Sequence, residues 1–271
     1  MKHKSTKIFA LICWLLAFNT VLASCSTTQS PAPNQGRTPV VVELFTSEGC
    51  STCPPADELL ARLEERQFVD GAEVIALEEH VDYWNHDGWI DPFSAAEWTL
   101  RQQDYAAAFK LDGVYTPQMI IDGREQFIGS RVGEVSAAIV NNSRIQKAAV
   151  TITGIAAAGN RPREFNVNVT NLIAATSGES SEVWFAITEK GLHSDVKRGE
   201  NAGKNLHHAS IVRWMHKIGV ASGRGSASPF TAKASVKLKP AWKVEHLSAV
   251  AFVQERQSRR ILGAASIQLS R

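Results

Sequence analysis

The apolar run Val40-Val41-Val42-Glu43-Leu44-Phe45-Thr46 leads into Cys50-Ser51-Thr52-Cys53, and a helical sequence follows at once. A strand with almost no polar alternation is covered on both faces. Any fold open to this chain must therefore wrap layers around residues 40–46, with the two cysteines just past the end of that strand. From Pro55 to Gln67, Leu59, Leu60 and Leu63 give a one-sided helix. Thiols at this spacing close a small, strained and readily exchanged disulfide, so the pair reads as a redox centre before a structural staple.

Strand-like and helical runs continue to alternate up to about Gln146. Val74–Val81 reads as a second strand. Ser94–Phe109 reads as a longer helix opened by an N-cap serine, with Trp98, Tyr105 and Phe109 on or near one face. Met119–Asp122 and Gln126–Ile128 flank Gly123 as a hairpin, and Val132–Ile145 closes the unit as a helix. This order implies a sheet covered by helices. After about Ala148 the texture changes to strands and turns. Candidate strands are Val150–Ile155, Phe165–Thr170, Val183–Thr188, Ser210–His216, Ala232–Leu238, Leu247–Gln254 and Ile261–Leu269, punctuated by glycine, proline and asparagine. The expectation is an α/β domain over residues 38–147 followed by an all-β, sandwich-like domain over residues 148–271.

The beginning of the chain speaks to compartment. Lys2, Lys4 and Lys7 precede or flank the apolar stretch Ile8–Phe18, and Leu22-Ala23-Ser24 sets small residues before Cys25. That is the pattern of an export signal over residues 1–24. The apolar stretch is shorter than the about 20 residues a membrane span needs. Leu22-Ala23-Ser24-Cys25 resembles a bacterial lipobox. The resemblance implies cleavage before Cys25, lipidation of that cysteine and, with Ser26 next to it, sorting to the outer membrane; an ordinary secretory signal cut nearby is the alternative. Residues 25–37 carry no apolar periodicity and read as a flexible tether. The expected location is the periplasmic side of a bacterial envelope, with the membrane reached through an N-terminal lipid anchor.

With Cys13 removed in the signal and Cys25 acylated, Cys50 and Cys53 are the remaining cysteines. A disulfide scaffold would show more cysteines at longer spacing, and the roughly 235 residues left can bury a core without one. The net charge of +2 traces to the lysines of the signal, and the remainder is close to neutral. Nothing in that balance favours nucleic acid or a charge-driven membrane surface. No nicotinamide or flavin motif stands in the sequence, and no cofactor is expected.

A CxxC pair also serves zinc sites, but no second CxxC accompanies this one. Beyond the first two strands comes Gly113-Val114-Tyr115-Thr116-Pro117-Gln118-Met119-Ile120-Ile121-Asp122-Gly123. This segment resembles the second hallmark of the thioredoxin superfamily, a Thr/Val-Pro dipeptide with a cis bond leading into a β-hairpin. The strings Val42-Glu43-Leu44-Phe45-Thr46-Ser47-Glu48-Gly49-Cys50-Ser51-Thr52-Cys53-Pro54-Pro55-Ala56-Asp57, His80-Val81-Asp82-Tyr83-Trp84 and Gly199-Glu200-Asn201-Ala202-Gly203 resemble the bacterial family called domain of unknown function 1223. These resemblances imply a thioredoxin-like fold over residues 38–147 and a redox function. Cys50 would be the exposed attacking thiol, Cys53 the buried resolving one, and Thr116 and Pro117 the substrate platform. In thioredoxins an aromatic residue precedes the first cysteine, where this chain has Gly49.

The residues around the pair temper its activation. Pro54 and Pro55 disfavour helical geometry in the residues before them, so the helix is expected to start late. No lysine or arginine lies between Cys50 and Ala61, while Glu48, Asp57 and Glu58 bracket the thiols. Glu43 interrupts the first strand. It is either a buried proton acceptor for Cys53, which needs a one-residue bulge before Cys50, or a strand-end acid paired with a basic residue. His80 and His86 flank a loop rich in tryptophan. They are either copper or zinc ligands beside Cys50 and Cys53 or hydrogen-bonded loop residues. The loop 197–208 reads as a solvated turn or as a flap over the redox face, and adjacent His207 and His208 make a poor chelate. The leading expectation is an exported thiol–disulfide oxidoreductase acting on envelope protein thiols and disulfides with an unidentified redox partner. A copper- or metal-handling module and a non-catalytic envelope binding protein are the alternatives.

Overall fold

The computed structural model describes residues 27–29, 36–86, 88–155, 162–172, 179–221 and 229–269. The export signal, Cys25 and most of the tether lie outside the described residues. In chain order the first half holds β1 (Thr27–Gln29), β2 (Thr38–Thr46), α1 (Pro54–Arg66), β3 (Ala72–His80), α2 (Ala96–Phe109), β4 (Gln118–Ile121), β5 (Glu125–Ile128) and α3 (Val132–Ser143). The second half holds β6 (Ala149–Ile155), β7 (Arg163–Thr170), β8 (Ser181–Glu189), β9 (His193–Asp195), β10 (Asn205–His207), β11 (Ile211–Ala221), β12 (Phe230–Val236), β13 (Leu247–Glu255) and β14 (Ile261–Gln268). Among the described residues no helix is long and apolar enough to cross a membrane.

Pairing of these strands corrects the expected fold class. The expectation was a thioredoxin-like α/β domain followed by a separate β-sandwich. Instead one mixed sheet of eight strands runs through both halves in the order β14-β13-β8-β11-β3-β2-β4-β5, and strand outweighs helix. The join is parallel, with Ile211 of β11 opposite Glu78 of β3 and Glu78 N–H donating to Ser210 O at 2.9 Å. Strand β3 therefore does not end the first half as an edge; its free side is taken by the second half. A smaller four-stranded sheet, β1-β6-β7-β12, packs on the β8–β13 end of the large one. Thr27–Gln29, expected within the tether, pairs antiparallel with Thr153–Ile155.

Side-chain parity along β2 and β3 sorts the chemistry onto two faces. Val40, Val42 and Leu44 lie with Val74 and Ala76 against Leu59, Leu60 and Leu63 of α1 and Val135 and Ile139 of α3. Val41, Ile75 and Leu77 point the other way, toward Trp98 of α2 and Phe252 and Ile261 of the second half. The sheet also curls. Ile261 N–H, on its far strand, donates to Asp122 O beside β4, and Asp122 N–H donates to Val41 O, both at 2.8 Å. At that meeting point Gly123 has a φ of +60°, and a Cβ there would sit 1.9 Å from the Arg259 carbonyl oxygen. Only glycine fits the turn.

Helix α1 begins directly at Pro54, with Cys53 as its N-cap residue in right-handed helical geometry. The late start expected from Pro54 and Pro55 does not occur. Prolines at the first helical positions lose no hydrogen bond, because those N–H groups have no intrahelical acceptor.

Candidate functional site

The loop from β2 to α1 closes a Cys50–Cys53 disulfide at the N-terminus of α1. Both cysteines are fully buried (0% exposed), whereas the resemblance implied an exposed Cys50. The turn 197–204, carried by the two-stranded ribbon β9–β10, is bonded to the backbone of this loop. Asn201 Nδ2 donates to Glu48 O at 2.8 Å and to Cys50 O at 2.9 Å. Its Oδ1 accepts from Lys204 Nζ at 2.8 Å. Beside it, Ser51 N–H donates to the Glu200 carboxylate at 3.0 Å, and hydrogen bonding from the Ser51 side chain and then from its N–H holds that exposed carboxyl below its ordinary value. The segment that sequence weighed between solvated loop and flap thus folds back over the disulfide.

On the other side stands Trp84. Its indole N–H donates to Thr116 Oγ1 at 2.8 Å, and a Cβ on Gly49 would lie 3.1 Å from the Trp84 Cβ. Gly49 is therefore the residue that lets Trp84 lie against the disulfide loop. The Thr116–Pro117 peptide is cis, and Pro117 packs around Gly129 with Ala56 of α1. Thr116 and Pro117 are thus brought to the disulfide loop and the first turn of α1.

Glu43 goes elsewhere. Strand β2 pairs with β3 in unbroken register from Thr38 to Thr46, without the bulge a relay to Cys53 required. Parity sends Glu43 to the face opposite α1. There it is buried and paired with Arg101 Nε at 3.0 Å, and it also accepts from Tyr105 Oη.

Beneath the N-terminus of α1 lies a buried polar cluster that sequence only partly marked. Glu78 and His80, two residues apart on β3, share the α1 face with Asp57 of α1, and Glu48, Asp91 and His208 join them from loops. His80 Nδ1 meets Asp91 Oδ2 at 2.7 Å and His80 Nε2 meets Glu78 Oε1 at 3.1 Å. His208 Nδ1 meets the same Glu78 Oε1 at 2.8 Å, and His208 Nε2 meets Glu48 Oε1 at 3.0 Å. Glu48 also accepts from the Trp89 indole at 2.8 Å, and its N–H donates to Asp91 at 2.9 Å. Through Glu48, the cluster and the disulfide loop are one hydrogen-bonded unit.

The charges in this cluster set one another. Burial works against a charged His80 ring, yet Asp91 and Glu78 hold it well above the ordinary imidazole value. Burial likewise opposes charge on His208, but Glu78 and Glu48 carry it up to about 9. Burial alone would raise Glu78; the His208 and His80 rings pull it down to about 2. Asp57, which accepts from Thr46 Oγ1 at 2.6 Å, is pushed up to about 7 by burial and then by Glu78.

Asp57 gives a pH prediction whose sign is fixed. An acid raised from 3.8 to about 7 costs the fold nothing below the unfolded value, and the full cost is reached above the folded one. Asp57→Asn should therefore stabilise the protein above pH 7, by on the order of 1–4 kcal/mol, and change little near pH 3.5. Denaturant midpoints across that range check it; equal effects at both ends would show that Asp57 does not titrate as described.

His86 sits exposed at the turn after β3, apart from His80. The four-residue set Cys50, Cys53, His80 and His86 is therefore not gathered as one ligand group. Among the described residues the group close enough to hold an ion is Glu78, His80 and His208. Sequence reasoning missed Glu78, Asp91 and His208 as members of a site. The available signal was Glu78-Glu79-His80, three polar residues in succession on a strand buried on both faces.

No curated protein matches this chain. Protein AGR_C_4864 of Agrobacterium tumefaciens has a crystal structure that is similar at a TM-score of 0.63 and 29% identity, over 87% of this chain and 98% of that one. HBP35 of Porphyromonas gingivalis is similar at a TM-score of 0.62 and 17% identity, over 86% of this chain and 76% of that one, which is a likeness of fold. The family described as protein of unknown function (DUF1223) matches residues 41–254, and the chain belongs to that family.

Proposed function

We propose that this protein exchanges disulfides with envelope protein thiols through Cys50 and Cys53. The observation that carries the reading is the position of the pair: a closed disulfide whose second cysteine caps the N-terminus of α1. A thiolate of the partner attacks Cys50 Sγ, the Cys50–Cys53 bond breaks, and Cys53 leaves as a thiolate. The helix N-terminus favours that negative charge. Asp57, on the first turn of α1 and ionising near neutral pH, supports proton transfer to and from Cys53, the role sequence weighed for Glu43. A second partner thiolate then attacks the partner's own sulfur in the mixed disulfide, the bond to Cys50 breaks, and Cys50 leaves as a thiolate that takes up a proton. The partner dithiol is oxidised to a disulfide and the Cys50–Cys53 pair is reduced to a dithiol; the reverse sequence reduces a partner. The partner backbone is proposed to pass Thr116 and Pro117. The basic and apolar pattern of residues 1–24 and the lipobox-like Leu22-Ala23-Ser24-Cys25 support placing this chemistry in the bacterial envelope, on the periplasmic side and anchored to the outer membrane through a lipid proposed on Cys25.

Burial of both sulfurs favours a second reading, an inert bridge that shapes the loop under Asn201 for a non-catalytic binding protein. Trapping separates the two. A Cys53→Ser chain should accumulate mixed disulfides through Cys50 that thiol reductants release, and a Cys50→Ser chain should accumulate far fewer. Equal or absent adducts from both variants would support the inert bridge.

A further inference from the structure

We propose that Glu78, His80 and His208 form a centre for one divalent transition-metal ion, with zinc as its simplest occupant. The inference does not rest on the exchange reading, and it uses neither cysteine.

The donor set is the first argument. Two imidazole nitrogens and a carboxylate are ordinary zinc ligands, and their atoms lie within 4.8 Å of one another. His80 Nε2 and His208 Nδ1 converge on the same oxygen, Glu78 Oε1, at 3.1 and 2.8 Å. Metal–ligand bonds of about 2.0–2.1 Å in a tetrahedral site put neighbouring donor atoms roughly 3.3 Å apart. The two nitrogen–oxygen edges are therefore within a few tenths of an ångström of that separation, and all three donors lie within 4.8 Å of one another.

Orientation is the second argument, and it is independent of the first. The nitrogen of each ring that faces away from the centre is held by a carboxylate: His80 Nδ1 by Asp91 at 2.7 Å and His208 Nε2 by Glu48 at 3.0 Å. A carboxylate behind each imidazole is the arrangement that fixes ring orientation at protein metal sites and strengthens the ligating nitrogen. Here it occurs twice, on residues from opposite halves of the chain. Glu78 itself is steadied by the Ala209 N–H, which donates to its second oxygen.

Location is the third. Glu78 and His80 belong to β3, and His208 precedes β11, so the three donors straddle the short parallel join of Ile211 with Glu78. An ion there ties the two halves of the large sheet together, directly under the disulfide loop. All three donors are buried, which describes a closed, structural centre loaded during folding or when the 197–204 turn lifts.

The test uses the purified chain, stripped with a chelator and offered zinc alone, both in the native state and during refolding. Bound zinc is counted by elemental analysis after gel filtration, and cobalt(II) is substituted to read ligand geometry from its visible spectrum. The expected result is one zinc per chain, with a rise in thermal midpoint. Retention should be abolished by His208→Asn and by Glu78→Gln, and affinity lowered about 10–100-fold by Glu48→Gln. The Cys50→Ser/Cys53→Ser double variant should bind zinc normally. Circular dichroism identifies variants that fold, and the cobalt spectrum of the unsubstituted chain stands even where one does not. Folded protein that retains only substoichiometric zinc under both loading conditions would overturn the proposal. Binding that survives both ligand substitutions, or that is lost with the cysteines, would overturn it equally.

Discussion

Arg101→Met is expected to destabilise this protein by about 3–5 kcal/mol, the cost of removing one partner from a buried ion pair. The guanidinium sits on α2 but reaches across the curl of the large sheet. It donates to Glu43 of β2 at 3.0 Å, lies 3.4 Å from Glu79 of β3 and 3.3 Å from Gln254 of β13, and stands 5.4 Å from the Trp184 and Phe252 rings. Both carboxylates it serves are fully buried, and Glu79 accepts no hydrogen bond among the described residues. Burial and then Glu43 already raise Glu79 well above its ordinary value. Without Arg101 two neighbouring acids face each other in an apolar layer, so one must take up a proton or the layer must open. Chemical denaturation of the single variant should show the full loss. Arg101→Met combined with Glu43→Leu should recover part of it, because replacing a buried pair with apolar groups avoids the unpaired charge. A loss below about 1 kcal/mol for the single variant, the value of an exposed pair, would show that this layer is wetter than described.

Asn201→Ala is expected to speed reduction of the Cys50–Cys53 disulfide by small thiols about 5–150-fold. The asparagine side chain pins the 197–204 turn to Glu48 O and Cys50 O, and it is the buried one of the two residues that bond the turn to the disulfide loop, the other being the exposed Glu200. Alanine leaves two buried carbonyls without that donor, at about 1–3 kcal/mol. Reduction of a covered disulfide runs through locally opened molecules. That cost therefore raises the open population by about 5–150-fold, since about 1.4 kcal/mol is a factor of ten. Rates followed by alkylation and mass at several dithiothreitol concentrations check this. An unchanged rate would mean that thiols reach the sulfurs by a route that does not lift the turn.

Local pattern in this sequence carried much of the structure. The seven strands expected after residue 148 all form, at nearly the expected positions, because alternating apolar residues and turn formers are short-range signals. Gly123 marked its hairpin for the same reason. Sheet order was not legible, because the join of β3 to β11 rests on a single registered pair with few contacts to announce it. Continuous burial of β2 and β3 stated that both faces were covered but not which strand lay alongside.

The site divides in the same way. Cys50, Cys53, Thr116 and Pro117 were readable as motifs. Parity could have moved Glu43 to the α2 face, since Leu44 and not Glu43 shares the face of α1. His208 does not stand out in the sequence, because adjacent His207 points away from it on an extended chain and the two make a poor chelate. Its partners are Glu78 and Glu48, each far away in sequence. No spacing rule finds a site assembled across a sheet junction.

Cys50 and Cys53 are proposed to cycle between disulfide and dithiol. Equilibrating the protein in graded glutathione buffers, long enough for the covering turn to open, and counting free thiols by alkylation and mass tests this most directly. A cycling pair should show a reversible two-electron transition between about −120 and −270 mV, the span of disulfide-exchange catalysts. A pair that stays oxidised well below about −300 mV would behave as a structural bridge and contradict the proposal.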